Sequence, residues 1–135
     1  PCMIRADRGQ LRQIVLNLLK NSMEAMRSDG AIEVRCRRAG SNIEITVADE
    51  GPGVPSDQQA HVFDPFFSTK EIGTGLGLTL VKRYVEGAGG SIRYENRVPH
   101  GAQFVFYLPQ SRPETSGDGD SGDVDTPENR STLTV

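Results

Sequence analysis

Residues 31–37 read Ala-Ile-Glu-Val-Arg-Cys-Arg, and residues 43–48 read Ile-Glu-Ile-Thr-Val-Ala. In the first stretch Ile32, Val34 and Cys36 alternate with Glu33, Arg35 and Arg37; in the second Ile43, Ile45 and Val47 alternate with Glu44, Thr46 and Ala48. A period of two with one apolar face marks strands buried on one side. Ala39–Gly40–Ser41–Asn42 between them has turn composition. The pair predicts an antiparallel hairpin.

Upstream, Asp7 lies three residues before Gln10, a capping-box variant with Asp in place of Ser or Thr. Leu11, Ile14, Val15, Leu18, Leu19, Met23 and Met26 follow at helical spacing. They predict a helix with a wide buried stripe, closed by a turn at Asp29–Gly30. Downstream, a Gly/Pro-rich stretch from Gly51 to Gly77 leads into a second helix over about Leu76–Glu86, stopped by Gly87–Gly90. Ser91–Asn96 and Ala102–Leu108 read as two further strands, and Met3–Arg5 as a candidate short one. Helices gathered on one face of a mixed, mainly antiparallel sheet make an α+β two-layer sandwich.

The 135 residues suffice for one domain with its own core. Residues 1–109 carry 13 Lys/Arg and 12 Asp/Glu, a net of +1, whereas residues 110–135 carry 2 Arg and 6 acids, a net of −4. The body therefore lacks the basic footprint of a nucleic-acid binder. The tail, rich in Ser, Thr, Gly, Asp and Pro, is expected to be disordered, and the domain to comprise residues 1–109. No apolar run is long enough to span a bilayer and nothing resembles a signal peptide, so no membrane contact by this domain is expected. A start at Pro1 suggests excision from a longer protein. Cys2 and Cys36 show neither metal-ligand spacing nor a disulfide framework, which suits a reducing, cytoplasmic setting.

Several residues invite a chemical reading. Asn17 and Asn21 are four apart and share a face of the first helix. They serve equally well as caps or interhelical partners, or as neutral oxygen ligands for a hard cation such as Mg²⁺. Asp49 has the parity of Ile43, Ile45 and Val47, so it points toward the core. A carboxylate there needs donors. The exocyclic amine of adenine is one, and the Gly51–Pro52–Gly53 turn offers another. Gly51 and Gly53 would let backbone approach a flat ligand. Gly73–Thr74–Gly75–Leu76–Gly77–Leu78 precedes a helix and could cradle an anion, yet it is neither a Walker A loop nor a dinucleotide fingerprint. In Phe63–Asp64–Pro65–Phe66–Phe67–Ser68–Thr69–Lys70 the adjacent aromatics could anchor a lid from which Lys70 reaches a phosphate; the plainer alternative is a packed loop with a solvated lysine.

Taken in order, these segments resemble the catalytic ATP-binding domain of sensor histidine kinases, within the GHKL (Bergerat fold) superfamily. Gln13–Ser22 looks like the N box, Asp49–Val54 the G1 box, Phe63–Lys70 the F box and Gly73–Leu78 the G2 box. Gly101–Ala102–Gln103–Phe104, running to Leu108–Pro109, looks like the closing strand. The short lid looks most like the nitrogen-regulator-type subgroup. The resemblance implies ATP and Mg²⁺ as cofactors. Asn21 would ligate Mg²⁺, with Asn17 assisting at the metal and phosphates. Asp49 would accept from adenine, beside Gly51, Gly53 and Ala102. Thr69, Lys70 and the backbone of Gly73, Thr74, Gly75, Leu76, Gly77 and Leu78 would hold the phosphates. Ser22 stands where the family usually has Ala, and Ala102 where many members have Thr.

ATP hydrolases and serine kinases of the superfamily usually carry Glu at the position of Asn17, a base that Asn cannot replace. A neutral imidazole acceptor needs no base, so catalysis would rest on positioning and on charge neutralisation by Mg²⁺ and Lys70, with Asn17 assisting at the phosphates. The resemblance thus implies a protein-histidine kinase domain. Neither His61 nor His100 has the helical setting of a phosphoacceptor. The expected partners are a histidine-bearing dimerisation domain of the same parent, in a dimeric kinase, and a downstream response regulator. A regulatory or scaffold nucleotide module and a GHKL ATPase are the competing readings.

Overall fold

The computed structural model describes residues 6–26, 29–67, 77–110 and 129–134. The first helix, α1 (Arg8–Ala25), begins where the sequence places its cap: the Asp7 carboxylate accepts from the Gln10 N–H at 2.9 Å. Its buried line runs through Ile14, Leu18, Ser22 and Met26. Met23, expected on the stripe, is 42% exposed. It sits about 100° around the helix from Ser22, so the small Ser22, not Met23, faces the sheet.

The sheet contains β1 (Ala31–Ala39), β2 (Asn42–Asp49), β3 (Ser91–Asn96), β4 (Ala102–Pro109) and β5 (Asn129–Thr134), in the order β3-β4-β2-β1-β5. All four pairings among the described residues are antiparallel. The second helix, α2 (Gly77–Gly87), connects β2 to β3 and lies beside α1 on the same face. It ends as its glycines predict: Gly90 N–H reaches Val85 C=O at 2.9 Å and Gly89 N–H reaches Glu86 C=O at 3.0 Å, a paired C-terminal cap. Ile14, Leu18, Val81 and Val85 from the helices meet Ile43, Val47, Phe104, Phe106 and Leu108 from the sheet in one core. Cys36 packs at the edge of that core and is not in a disulfide. The expected α+β sandwich is what forms; Met3–Arg5 lies outside the described residues.

On the opposite face the sheet is covered by its own long polar side chains. Arg37 grips Glu44 with two bonds of 2.9 and 3.1 Å, while Arg93 reaches Glu95 and the Tyr107 hydroxyl. These bonds hold the Glu44 and Glu95 carboxyls below the usual range. Thr46 and Val105, beneath this layer, are buried.

The tail departs from expectation at its far end. Asn129–Thr134 forms β5, in register with β1 from Ala31↔Thr134 to Cys36↔Asn129. Composition argued against a core contribution, but an edge strand asks for main-chain partners rather than apolar bulk. β1 would otherwise present a row of open N–H and C=O groups. Arg130–Ser131–Thr132–Leu133 is short and includes strand-favouring residues. Residues 111–128 lie outside the described set. Deleting residues 129–135 should raise hydrogen exchange of the β1 amides facing β5 by roughly tenfold or more while leaving β2 and β4 protected; exchange measured residue by residue by NMR checks this.

Candidate functional site

The site begins at the end of β2. Alternation delivers Asp49 to the helix-facing side, where it is 1% exposed. Its Oδ1 accepts from Gly51 N–H at 2.8 Å. Its Oδ2 is buried with no hydrogen-bond partner, and so is the hydroxyl of Ser22 from α1. Burial pushes the Asp49 carboxyl up from the usual 3.8. The Gly51 N–H, the nearby Ser22 hydroxyl, the charge of Arg97 and the Ala102 N–H oppose this. The site therefore holds a carboxylate with one oxygen committed to Gly51 and the other close to Ser22 and open to a further donor.

The loop that follows is fixed by sterics. A Cβ at Gly51 would stand 2.9 Å from Asp49 Oδ1 and 3.3 Å from Ala25 Cβ. At Gly53, with φ of +76°, it would stand 2.7 Å from Asn96 Oδ1 and 3.1 Å from the Gly101 carbonyl. These glycines were expected to admit a flat ligand. The structure gives a different reason for them: the space that a side chain would need is filled by protein atoms. Asn96 was not foreseen. Its side-chain amide bonds both polar groups of the Val54 main chain, at 3.0 and 2.9 Å, and accepts from the Tyr94 hydroxyl at 2.6 Å. Burial is the main reason the Tyr94 phenol is pushed up to about 12, so it remains a donor at neutral pH. Only the register exposes Asn96: it lies opposite Ala102, which lies opposite Asp49. The three residues form one row across β3, β4 and β2.

Asn17 and Asn21 are half-buried on α1. Asn17 Oδ1 accepts from Gln13 at 2.9 Å, and its Nδ2 makes a long bond of 3.4 Å to the Gly77 carbonyl. That bond ties the asparagine helix to the first residue of α2. Leu78 packs partly buried against the core. Thr69, Lys70, Gly73, Thr74, Gly75 and Leu76 lie outside the described residues. The aromatic anchor of this region is Phe63 rather than the Phe66–Phe67 pair. Phe63 packs edge-on against Phe104 with ring centres 6.0 Å apart, and its carbonyl accepts from the Thr79 hydroxyl at 2.9 Å. Phe66 is 76% exposed and holds a positive φ of 65°, unusual for a side chain of its size. His61 pairs with Asp64 at 2.8 Å next to the short turn Gln59–His61, and His100 lies in the β3–β4 connection.

An α+β sandwich with a buried strand-end carboxylate, facing a helix that carries two amides four residues apart, defines a Bergerat-type ATP-binding domain. The chain belongs to the family described as histidine kinase-, DNA gyrase B-, and HSP90-like ATPase, whose model matches residues 6–112. It is 44% identical over 109 residues to the sensor histidine kinase ZraS of Klebsiella oxytoca, covering 80% of this chain and 24% of that protein. Its fold matches the mycobacterial sensor histidine kinase MprB with a TM-score of 0.74 at 29% identity, over 82% of this chain and 78% of that one. It also matches the histidine kinase ThkA in complex with the response regulator TrrA, with a TM-score of 0.67 at 32% identity, over 78% of this chain and 30% of that one. The chain spans about a quarter of the length of the curated relatives it matches. It is thus a catalytic ATP-binding domain of the sensor-histidine-kinase type.

The raised Asp49 titration has a stability consequence. The native state holds this proton more tightly than the unfolded chain, so the group contributes stability that is complete below the usual value of 3.8 and is lost as pH rises through the native value. At neutral pH the buried charge is a liability. Asp49→Asn keeps an oxygen for Gly51 N–H and should raise stability at pH 7 by about 1 kcal/mol, or about 4–8 °C in Tm. The gain should shrink toward pH 4, which thermal melts across that range will read.

Proposed function

We propose that this domain binds ATP with Mg²⁺ and passes the γ-phosphoryl group to a histidine on a separate dimerisation domain of the same dimeric parent, which then serves a response regulator. The observation that carries the reading is the buried Asp49, with Oδ1 held by Gly51 and Oδ2 left without a partner. An exocyclic adenine amine is a donor of the right chemistry for that oxygen. Gly51, Gly53 and Ala102 would frame the ring. Thr69, Lys70 and the main chain from Gly73 to Leu78 would hold the phosphates. ATP, when bound, supplies the transferable group, with its charge partly neutralised by the metal.

Asn21 and Asn17 offer neutral oxygens for the metal. Among the described residues no group of three or more His, Cys, Asp or Glu could hold a metal ion. Such a donor set suits a Mg²⁺ that arrives already bound to phosphates and retains water, rather than a free ion. By the family resemblance Asn21 would be the principal protein ligand, with Asn17, whose Oδ1 accepts from Gln13, assisting at the phosphates. With Asn rather than Glu at position 17, no carboxylate stands ready to deprotonate water or a hydroxyl, which supports an imidazole acceptor. Neither His61, which closes the short 3₁₀ turn Gln59–His61, nor His100 lies on an α-helix, which supports an acceptor supplied by another domain. The domain is proposed to comprise residues 1–109, with β5 added to its sheet from the tail, and to act in the cytoplasm, binding neither nucleic acid nor membrane. Among the described residues no helix is long and apolar enough to cross a bilayer.

Mg²⁺ alone should leave the melting temperature unchanged. ATP with Mg²⁺ at a hundredfold excess over Kd should stabilise by about 2.7 kcal/mol. Asp49→Asn should weaken ATP binding tenfold to a hundredfold, because its NH₂ would face the adenine amine, donor against donor. Labelled ATP should mark a supplied histidine domain and leave this chain unmarked. Stable label on this chain alone, or an unchanged affinity in Asp49→Asn, would overturn the reading.

A further inference from the structure

The motifs read from the sequence leave β3 without a functional residue, yet the loop below Asp49 is held from β3. We propose that Asn96 is a positioning residue of the nucleotide site, clamping the Gly53–Val54 main chain so that the loop is set before nucleotide arrives. The inference rests on the ATP-binding reading and adds a residue to it.

Three observations carry it. First, the amide engages both polar groups of one residue: Oδ1 accepts from Val54 N–H at 3.0 Å and Nδ2 donates to Val54 C=O at 2.9 Å. This is the pairing that a neighbouring strand would provide, supplied by a side chain where β3 has ended. It satisfies loop groups that would otherwise turn to water. Second, the amide is itself oriented. Tyr94, two residues earlier on the same face of β3, donates its hydroxyl to Oδ1 at 2.6 Å. Tyr94 is in turn held by its edge-on packing with Phe104, ring centres 5.1 Å apart. A core aromatic thus fixes which end of the amide faces which end of Val54. Third, the fit is close. Gly53 lies so near that an added Cβ would stand 2.7 Å from Asn96 Oδ1. The loop between Asp49 and Val54 is therefore held at both ends, by Gly51 N–H on Asp49 Oδ1 at 2.8 Å and by Asn96 on Val54.

The opposite ends of the clamp respond differently to substitution. Asn96→Ala removes both bonds. Asn96→Asp keeps the acceptor for Val54 N–H and Tyr94 but sets a second oxygen against the Val54 carbonyl. Its loss should equal or exceed that of Ala, an order that a merely space-filling role does not produce. Asn96→Ser, with one hydroxyl able to make one of the two bonds, should lie between wild type and Ala.

The test uses this whole chain with ATP and Mg²⁺ as the probe. Hydrogen exchange of the Val54 amide, read by NMR without nucleotide, should accelerate about tenfold in Asn96→Ala while the amides of Ile92 and Phe106 keep their protection. ATP affinity should fall roughly fivefold to tenfold in Asn96→Ala. With a supplied histidine domain, KM for ATP should rise by that factor and kcat at saturation should change less than twofold. An unchanged Val54 exchange rate would overturn the clamp. Faster Val54 exchange with unchanged ATP affinity would overturn its role in positioning. A wild-type chain that fails to bind ATP would refute the functional reading instead, and the Val54 exchange data, taken without nucleotide, would report separately on the clamp.

Discussion

A carboxylate is buried where a strand ends, and most of the described site is arranged around that constraint. Asp49 cannot face water, because its parity on β2 is that of Ile43, Ile45 and Val47, and those side chains make the core. Nor can it be left wholly unpaired, since an ionised group in an apolar setting destabilises the fold by several kcal/mol. The chain answers half of the requirement. Gly51 turns its N–H back onto Oδ1, and this is possible because a side chain at Gly51 would collide with that same oxygen and with Ala25. The other half is left open. A domain selected for stability alone would close it with a second donor.

The sheet then spreads the constraint across three strands. Asp49, Ala102 and Asn96 lie in one row, so the strand that carries the carboxylate, the strand beside it and the strand that clamps the following loop are locked in a single register. A slip of one residue in β4 would turn Phe104 and Phe106 out of the core and misplace the row at the same time. Burial of the two phenylalanines, both nearly inaccessible, therefore fixes the geometry of a polar site several residues away. Arg97 adds a further tie, donating to the Asp49 carbonyl at 3.1 Å.

How much of this was legible in the sequence follows from which forces are local. Alternation, helical spacing, the Asp7 cap and the Gly87–Gly90 stop are encoded by neighbouring residues, and the elements they predict form with nearly the predicted bounds. Asp49 was legible for the same reason. Asn96 was not: an asparagine at a strand end looks like any turn residue until the β3–β4 register sets it opposite Ala102. The reason for Gly53 was hidden likewise, because the atoms that exclude a side chain there belong to residues 96 and 101. Phe63 was overshadowed by the more conspicuous Phe66–Phe67 pair. Whether an aromatic packs or faces solvent depends on a partner, here Phe104, that lies 41 positions away. The β5 strand escaped because apolar content is the wrong measure for a segment whose main contribution is main-chain pairing.

Strand order explains how one sheet can carry both a demanding site and an added strand. The row that ends at Asn96 occupies β3, β4 and β2, whereas β5 joins at the far edge, beyond β1. β1 touches the row too: Ile32 lies opposite Asp49 and contributes an apolar side chain there, and the Ala31 N–H donates to the Glu50 carboxylate, at the start of the loop, at 3.1 Å. Main-chain pairing at an edge is indifferent to most side chains. The tail can therefore change in sequence without disturbing the carboxylate, provided that Ile32 stays packed and Ala31 keeps its bond to Glu50. The half of the sheet that holds the site has less latitude, because Asp49 and Asn96, at the two ends of the row, each bond the main chain of the loop between them.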